Sequence, residues 1–583
     1  MCEAAGTGYR RQGKALATPV RPGIGGAGYA GIVLVMGAAL AVVALLLAVT
    51  ASPARERSAG ASAVVGTNGA STPNIWWRPC PRNVGKGGFR CGTVQVPLSY
   101  RHPGGKKITL TLGRLPATDQ KRKIGTLFWN PGGPGASGLF PVSFSRRLHE
   151  RFDIVGFDPR GTNASTPLKC FSSNRQAIET FGRPFPATKK QIAPFLAANK
   201  RGTSLCKSNA GPIISHMSTA NVARDMDLLR RAMGDRKMTY LGFSYGTFLG
   251  ETYANLFPGK VRAMTLDGVL DPVEWTTGEK PGDGHTQPFT YRLGSFDGSQ
   301  QALKTFLREC ASVGKGKGGC AFAERGAGPD KLLAKYEEIL RRLRQGPVEV
   351  TDNGQTFKVT YQDAVGITLS LLYSADASPD LARILENLHD ATVAAGGRSV
   401  RHRAAPKVDL SDVPTRPTFK WPESPAKGQS SYSGLEWLPG VSCLDAANPP
   451  TASSWPPYAH RADARAPGFG AFWTYVSTPC AAWPAQDPDR YRGPWGKKTA
   501  NPLLLIGNRQ GDPATPYVDA RTTATRRLAN ARLLTLNSFG HTSSYGGESR
   551  CINAAVDRYL VEAKLPPQGK VCQPDRGPFP ASP

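Results

Sequence analysis

No Cys-x-x-Cys pair occurs in the sequence, which removes the spacing on which compact zinc sites are built. Glycine follows no three-residue period, so a collagen-like helix is excluded. No internal repeat is evident, and a long coiled coil is incompatible with so much glycine and proline. Acidic residues are scarce: 43 Asp and Glu stand against 73 Lys and Arg, a formal charge of +30. Such a surface favours anionic partners such as nucleic acid, lipid headgroups or acidic wall polymers. The basic residues are spread along the chain and no aromatic-studded RNA motif interrupts them, so no nucleic-acid partner is expected. The charge reads first as a well-hydrated surface, and its alternative reading is a non-catalytic, cationic envelope-binding protein.

What is present argues for a folded protein. Of 583 residues, 40% are apolar, and there are 10 Trp, 17 Tyr and 23 Phe. That is material for a substantial core and excludes global disorder. The 65 Gly and 49 Pro imply many turns.

The N-terminus carries an address. Arg10, Arg11, Lys14 and Arg21 precede the run AGIVLVMGAALAVVALLLAV at 30–49, which holds no charge. A basic segment followed by an apolar one is the order of a signal peptide, and the length of the run suits a membrane-spanning anchor. Residues 1–50 are therefore expected to be a signal peptide or signal anchor. Either places the remainder outside the cytoplasm, secreted or tethered to the outer face of the membrane. Cysteine usage agrees with an exported chain: beyond Cys2 there are ten, an even number. Connectivity does not follow from sequence, and sequential pairing is the expectation: 80–91, 170–206, 310–320, 443–480 and 551–572.

Residues 51–75 are small and polar and read as a flexible linker, and the Pro-rich tail 573–583 as frayed. Between them lie eight strand-like segments, at 93–99, 108–114, 124–130, 152–158, 238–244, 262–268, 502–508 and 531–537. Several are continuous apolar runs, as strands buried on both faces require. Helical patterns at 221–234, 245–257 and 551–563 alternate with the later ones, which predicts an α/β fold with a mostly parallel eight-stranded sheet. The alternation stops from about 273 to 499, where helical stretches at 328–345 and 379–395 sit among Pro- and Trp-rich loops. The expected organisation is a core of 76–272 and 500–572 interrupted by a large, mainly helical cap at 273–499.

The chemistry is carried by four short segments. Gly242-Phe243-Ser244-Tyr245-Gly246 fits G-x-S-x-G, with an apolar strand ending on the serine and a helical pattern following at once. A strand–turn–helix of this kind exposes the Ser244 hydroxyl beside a helix N-terminus, as a nucleophile requires. Asn130-Pro131-Gly132-Gly133-Pro134-Gly135 follows an early strand, and such a loop presents backbone N–H groups to an oxyanion. Gly133 is the preferred donor, Gly132 the next, and the N–H of Tyr245 the second partner. Asp512 and His541 each lie just past a strand end, where open α/β sheets place their sites. Ser244, Asp512 and His541 therefore form a candidate triad, with Asp519 the second-choice acid.

These motifs resemble those of the tripeptidyl-aminopeptidase-like serine peptidases, α/β-hydrolases related to proline iminopeptidase. The resemblance spans 76–272 and 500–572 and rests on NPGGPG (130–135), FDIVGFDPRGTNAS (152–165), YLGFSYGTFLGETYANLFP (240–258), LDGVLDP (266–272), GDPATPY (511–517) and GHTSSYGG (540–547). It implies an α/β-hydrolase fold and an exopeptidase that releases short peptides, tripeptides above all, from the free N-termini of peptides or proteins. Pro131 stands where the iminopeptidase pattern has histidine, so release of single prolines is not implied. An aminopeptidase must bind the substrate ammonium, and Glu274 at the cap entrance is the candidate carboxylate. No metal or organic cofactor is expected. The rival within enzymes is an esterase or lipase acting on small esters with the same triad.

Overall fold

A computed structural model of the chain describes residues 64, 66–80, 88–139, 144–316, 318–352, 355–396, 434–546 and 548–579. The apolar run 30–49 and Cys2 lie outside these residues. Among the described residues no helix is long and apolar enough to cross a membrane.

The chain forms an α/β-hydrolase fold around one large sheet. Its strands are β1 (Ile75–Pro79), β2 (Arg90–Pro97), β3 (Lys107–Leu115), β4 (Gly125–Asn130), β5 (Phe152–Phe157), β6 (Met238–Phe243) and β7 (Val261–Asp267). A hairpin, β8 (Val348–Asp352) and β9 (Gln355–Val359), stands apart, and β10 (Leu503–Asn508), β11 (Ala531–Leu536) and β12 (Val571–Cys572) complete the sheet. The order is β1-β2-β3-β5-β4-β6-β7-β10-β11-β12. Pairings from β1 to β5 are antiparallel, and those from β5 through β4 to β12 are parallel.

All eight expected strands are present, and the sheet gains one short strand at each end. Neither addition carries a long apolar run: β1 reads IWWRP and β12 only VC. Both are held covalently. Cys80, next after β1, bonds Cys91 of β2, and Cys572 of β12 bonds Cys551 of the helix Arg550–Glu562. Cys170–Cys206, Cys310–Cys320 and Cys443–Cys480 complete the sequential pairing.

The central strands β5, β6 and β10 are buried at every position. Alternation sends their side chains to two cores, as strand geometry demands. Met238, Tyr240, Leu503 and Leu505 face one, where Val222, Met226, Phe248 and Tyr253 of the helices Thr219–Ala232 and Tyr245–Leu256 pack. Leu241, Phe243, Leu504 and Ile506 face the other, against Leu148, Ile552, Val556 and Leu560. Between β7 and β10 the chain builds a third core from Leu303, Phe306, Leu332, Ile339, Val365, Leu385, Trp455 and Phe469. Helices dominate it, including Ser295–Val313, Pro329–Leu343, Tyr361–Leu371 and Ser378–Gly396, and the β8–β9 hairpin lies among them. Phe185 and Phe195, from the connection between β5 and β6, join this third core.

Two expectations at the ends are corrected. Residues 66–74 are not free linker: Ala70 is buried, Arg231 donates to the Ala70 carbonyl, and Asn68 donates to the Tyr100 carbonyl. Their small polar character hides this docking because it runs through backbone carbonyls, which any sequence supplies. The tail is likewise docked as far as Phe579, whose ring stands 6.0 Å from that of Phe306.

Candidate active site

β6 ends at Phe243, and the helix Tyr245–Leu256 begins two residues later, so Ser244 alone makes the turn. It does so at φ +54°, ψ −126°, a backbone region that L-residues seldom adopt. The flanking glycines make room. A Cβ at position 242 would come within 2.3 Å of the Gly246 carbonyl oxygen, and one at 246 within 2.7 Å of the Asn130 oxygen. Ser244 is half-buried, and its N–H donates to the Asp267 carbonyl at 2.9 Å.

Asp512 sits in the loop after β10 with its side chain almost wholly covered. Its carboxylate accepts from the N–H groups of Ala514 (2.9 Å) and Thr515 (2.8 Å) and from the Thr515 hydroxyl (2.8 Å). That leaves it aimed at His541, whose Nδ1 lies 2.8 Å from Oδ1 and 3.1 Å from Oδ2. The His541 N–H donates to the Tyr373 carbonyl at 2.8 Å, and the Tyr373 ring meets the imidazole edge-on with centroids 4.8 Å apart.

The structure thus pairs Asp512 with His541 directly. Ser244 lies across the Asp267–Gly268 turn: its N–H bonds Asp267, while a Cβ at Gly268 would stand 3.4 Å from His541 Cε1. No hydrogen bond joins the Ser244 hydroxyl to His541 among the described residues. Asp519 is placed elsewhere. It is buried in the helix Tyr517–Thr522 with Oδ2 unpartnered, and burial, Asp271 and Glu274 hold its carboxyl well above the usual range. His541 Nδ1 meets Asp512 instead, so the second-choice acid is set aside.

The glycine loop lies against the serine. A Cβ at Gly132 would be 2.6 Å from the Phe243 oxygen and 2.9 Å from Ser244 Cβ. The Gly132 N–H is taken up by Asn130 Oδ1 at 2.9 Å. Those of Gly133 and Tyr245 meet no acceptor among the described residues. Glu274 occupies the short helix Pro272–Thr276 just past β7. Its carboxyl accepts no hydrogen bond among the described residues, and burial with Asp271 nearby raises its pKa to about 7, against the pull of Arg292.

Sequence reasoning gave no role to two residues that hold the histidine loop. Asp267 accepts from the N–H groups of Ser543 and Ser544 and the Ser544 hydroxyl, and burial raises its pKa to about 6. Asn508, the last residue of β10, donates to the carbonyls of Gly540 (2.6 Å) and Thr542 (3.0 Å) and accepts from Ser543. Their position at strand C-termini was the available signal.

Comparison with known proteins agrees with the fold. One family model, described as the alpha/beta hydrolase fold, matches residues 125–287, and another, described as TAP-like protein, matches 465–572. The chain is similar to serine protease Hip1 of Mycobacterium tuberculosis, 30% identical over 575 residues, covering 92% of this chain and 97% of that protein. It is 28% identical over 551 residues to tripeptidyl aminopeptidase of Streptomyces lividans, covering 90% and 91% of the two. A Mycobacterium tuberculosis protein named carboxylesterase B is 29% identical over 504 residues, covering 83% and 86%.

Proposed function

The chain belongs to the TAP-like α/β-hydrolase family as a serine peptidase, and from that premise we propose that it is an exported exopeptidase releasing short peptides, tripeptides above all, from free N-termini. The observation that carries this reading is the covered Asp512–His541 pair, one turn away from a serine held on a strand–helix elbow. In this mechanism Ser244 Oγ attacks the scissile carbonyl as His541 takes its proton. Asp512 fixes the tautomer with Nδ1–H facing the carboxylate and stabilises the imidazolium. The N–H groups of Gly133 and Tyr245, both without an acceptor among the described residues, receive the oxyanion, while Gly132 shapes the loop through Asn130. His541 then protonates the leaving amine, and water releases the acyl group.

Glu274 is the proposed partner of the substrate ammonium. A half-buried carboxyl with a raised pKa and no hydrogen bond among the described residues gains most when a cation arrives. Export is supported by five disulfides and by the leader-like order of residues 1–50, whose apolar stretch 30–49 serves as cleaved signal or membrane anchor.

The test is mass spectrometry of products from a peptide library, with Ser244→Ala as control. Release of tripeptides by the parent protein and none by the variant is the expected result. Turnover by Ser244→Ala would refute the nucleophile. Hydrolysis of short acyl esters with no cleavage of tripeptide amides would move the protein to the esterase reading. Glu274→Gln should impair free-N-terminus peptides and spare N-blocked esters, and equal loss on both would remove its role.

A further inference from the structure

A backbone donor is useful to an oxyanion only if its peptide cannot turn away. The peptide joining Ser244 to Tyr245 follows a strained residue, and strain of this kind persists only where the surroundings over-determine it. The anchor is the Tyr245 side chain. It is buried against Trp275, with ring centroids 5.7 Å apart, and its hydroxyl lies 2.5 Å from Thr219 Oγ1. The Thr219 hydroxyl donates to Asp445 Oδ2 at 2.6 Å, so it is left to accept the proton of Tyr245. The Thr219 N–H donates to Asp445 Oδ1 at 2.9 Å, completing a two-point grip on one carboxylate. All three side chains are buried.

We propose that Thr219 and Asp445 are positioning residues for the oxyanion hole, acting through the side chain of Tyr245. The inference rests on Tyr245 N–H being a donor, as assigned above. It makes a segment of the insertion part of the catalytic frame. Asp445 ends the cap helix Trp437–Asp445, whose first residue lies against the glycine loop: a Cβ at Gly135 would stand 3.1 Å from Trp437 Cβ. One nine-residue helix therefore lies against one wall of the hole and reaches the other through Thr219. It is itself held by Cys443–Cys480 and by Arg492 Nε, which donates to the Asp445 carbonyl at 2.6 Å.

The test compares Tyr245→Phe, Thr219→Val and the double variant with the parent protein. Rates are normalised to active sites titrated with a fluorophosphonate, so that misfolded protein does not count. Tyr253→Phe is the control, since it removes a buried hydroxyl from the same helix that bonds Asp227 instead. Each single variant is expected to lower kcat on a tripeptide amide by about 10- to 100-fold, less than outright loss of a donor. KM should stay within about twofold, and a peptidyl trifluoromethyl ketone should weaken by the same factor as kcat. The double variant should be no worse than the singles, because both break one chain of hydrogen bonds. Unchanged kcat and unchanged ketone affinity in both singles, with Ser244→Ala inactive, overturns the relay and leaves the nucleophile standing. Losses that appear equally in Tyr253→Phe, or in KM alone, also overturn it. Activity surviving in Ser244→Ala strikes at the underlying reading instead.

Discussion

Replacing Asp512 by Asn and by Ala separates two tasks that one carboxylate performs. In the structure Oδ1 accepts from the Ala514 and Thr515 N–H groups, while Oδ2 accepts from the Thr515 hydroxyl, and His541 Nδ1 reaches both. In Asp512→Asn the amide oxygen keeps the two backbone donors and the NH2 takes the place of Oδ2. That NH2 donates to Nδ1, which forces the proton of a neutral imidazole onto Nε2, where it cannot accept from Ser244. A wrong tautomer in such a triad costs about 10⁴-fold in kcat, or about 5.4 kcal/mol of barrier. The loop loses only the long Thr542 N–H contact to Oδ2 at 3.4 Å, so the melting curve should move little. Asp512→Ala loses as much activity and also strands two buried N–H groups, at about 1–3 kcal/mol each. The assay is kcat on a fluorogenic tripeptide amide beside urea denaturation of each variant. More than a tenth of the parental kcat in Asp512→Asn, or equal destabilisation in both variants, refutes the reasoning.

Ser244→Gly should abolish turnover yet raise stability by about 1 kcal/mol or more, since φ +54° costs glycine nothing, whereas Ser244→Ala should be inactive and no more stable than the parent; differential scanning calorimetry decides. Gly132→Ala drives a methyl against Phe243 O and Ser244 Cβ, and should cut kcat by at least about 100-fold in a protein whose circular dichroism is unchanged. Glu548 is half-buried with Oε2 covered and unpartnered among the described residues, and desolvation with Asp267 and Asp376 nearby raises its pKa to about 9. The fold therefore holds a proton there that the unfolded chain releases near pH 4.5, and stability falls as pH rises from that value towards 9. Thermal melts at pH 5 and pH 8 should show a smaller drop in Glu548→Gln than in the parent, and equal drops would contradict the assignment.

The parallel core was legible because burial on both faces leaves continuous apolar runs, as in β6 and β10, and because Ser244, Asp512 and His541 each follow such a run. β1 and β12 were not legible: a five-residue strand ending in proline and a two-residue strand carry no periodicity. The docking of 66–74 escaped for a related reason, since its contacts to Arg224 and Arg231 run partly through backbone carbonyls that composition does not encode. Among the site residues, the choice of Gly133 over Gly132 gains support only once Asn130 is seen to occupy the Gly132 N–H. Asp267 and Asn508 were visible at strand ends but silent, because a carboxylate or amide that organises a loop looks in sequence like any polar residue before a turn. Asp445 and Thr219 meet across 226 positions of chain, and no local pattern announces that.

The two outermost strands carry a consequence for life among other polypeptides. A sheet margin is a row of unused amide groups on which a foreign strand can grow, and a long margin seeds aggregation. Here one margin is five residues with a proline at its end and the other is two residues, and each is riveted by a cystine to a neighbouring element. A breathing molecule keeps its flanks closed, so this serine peptidase offers the chains around it almost no template to add to.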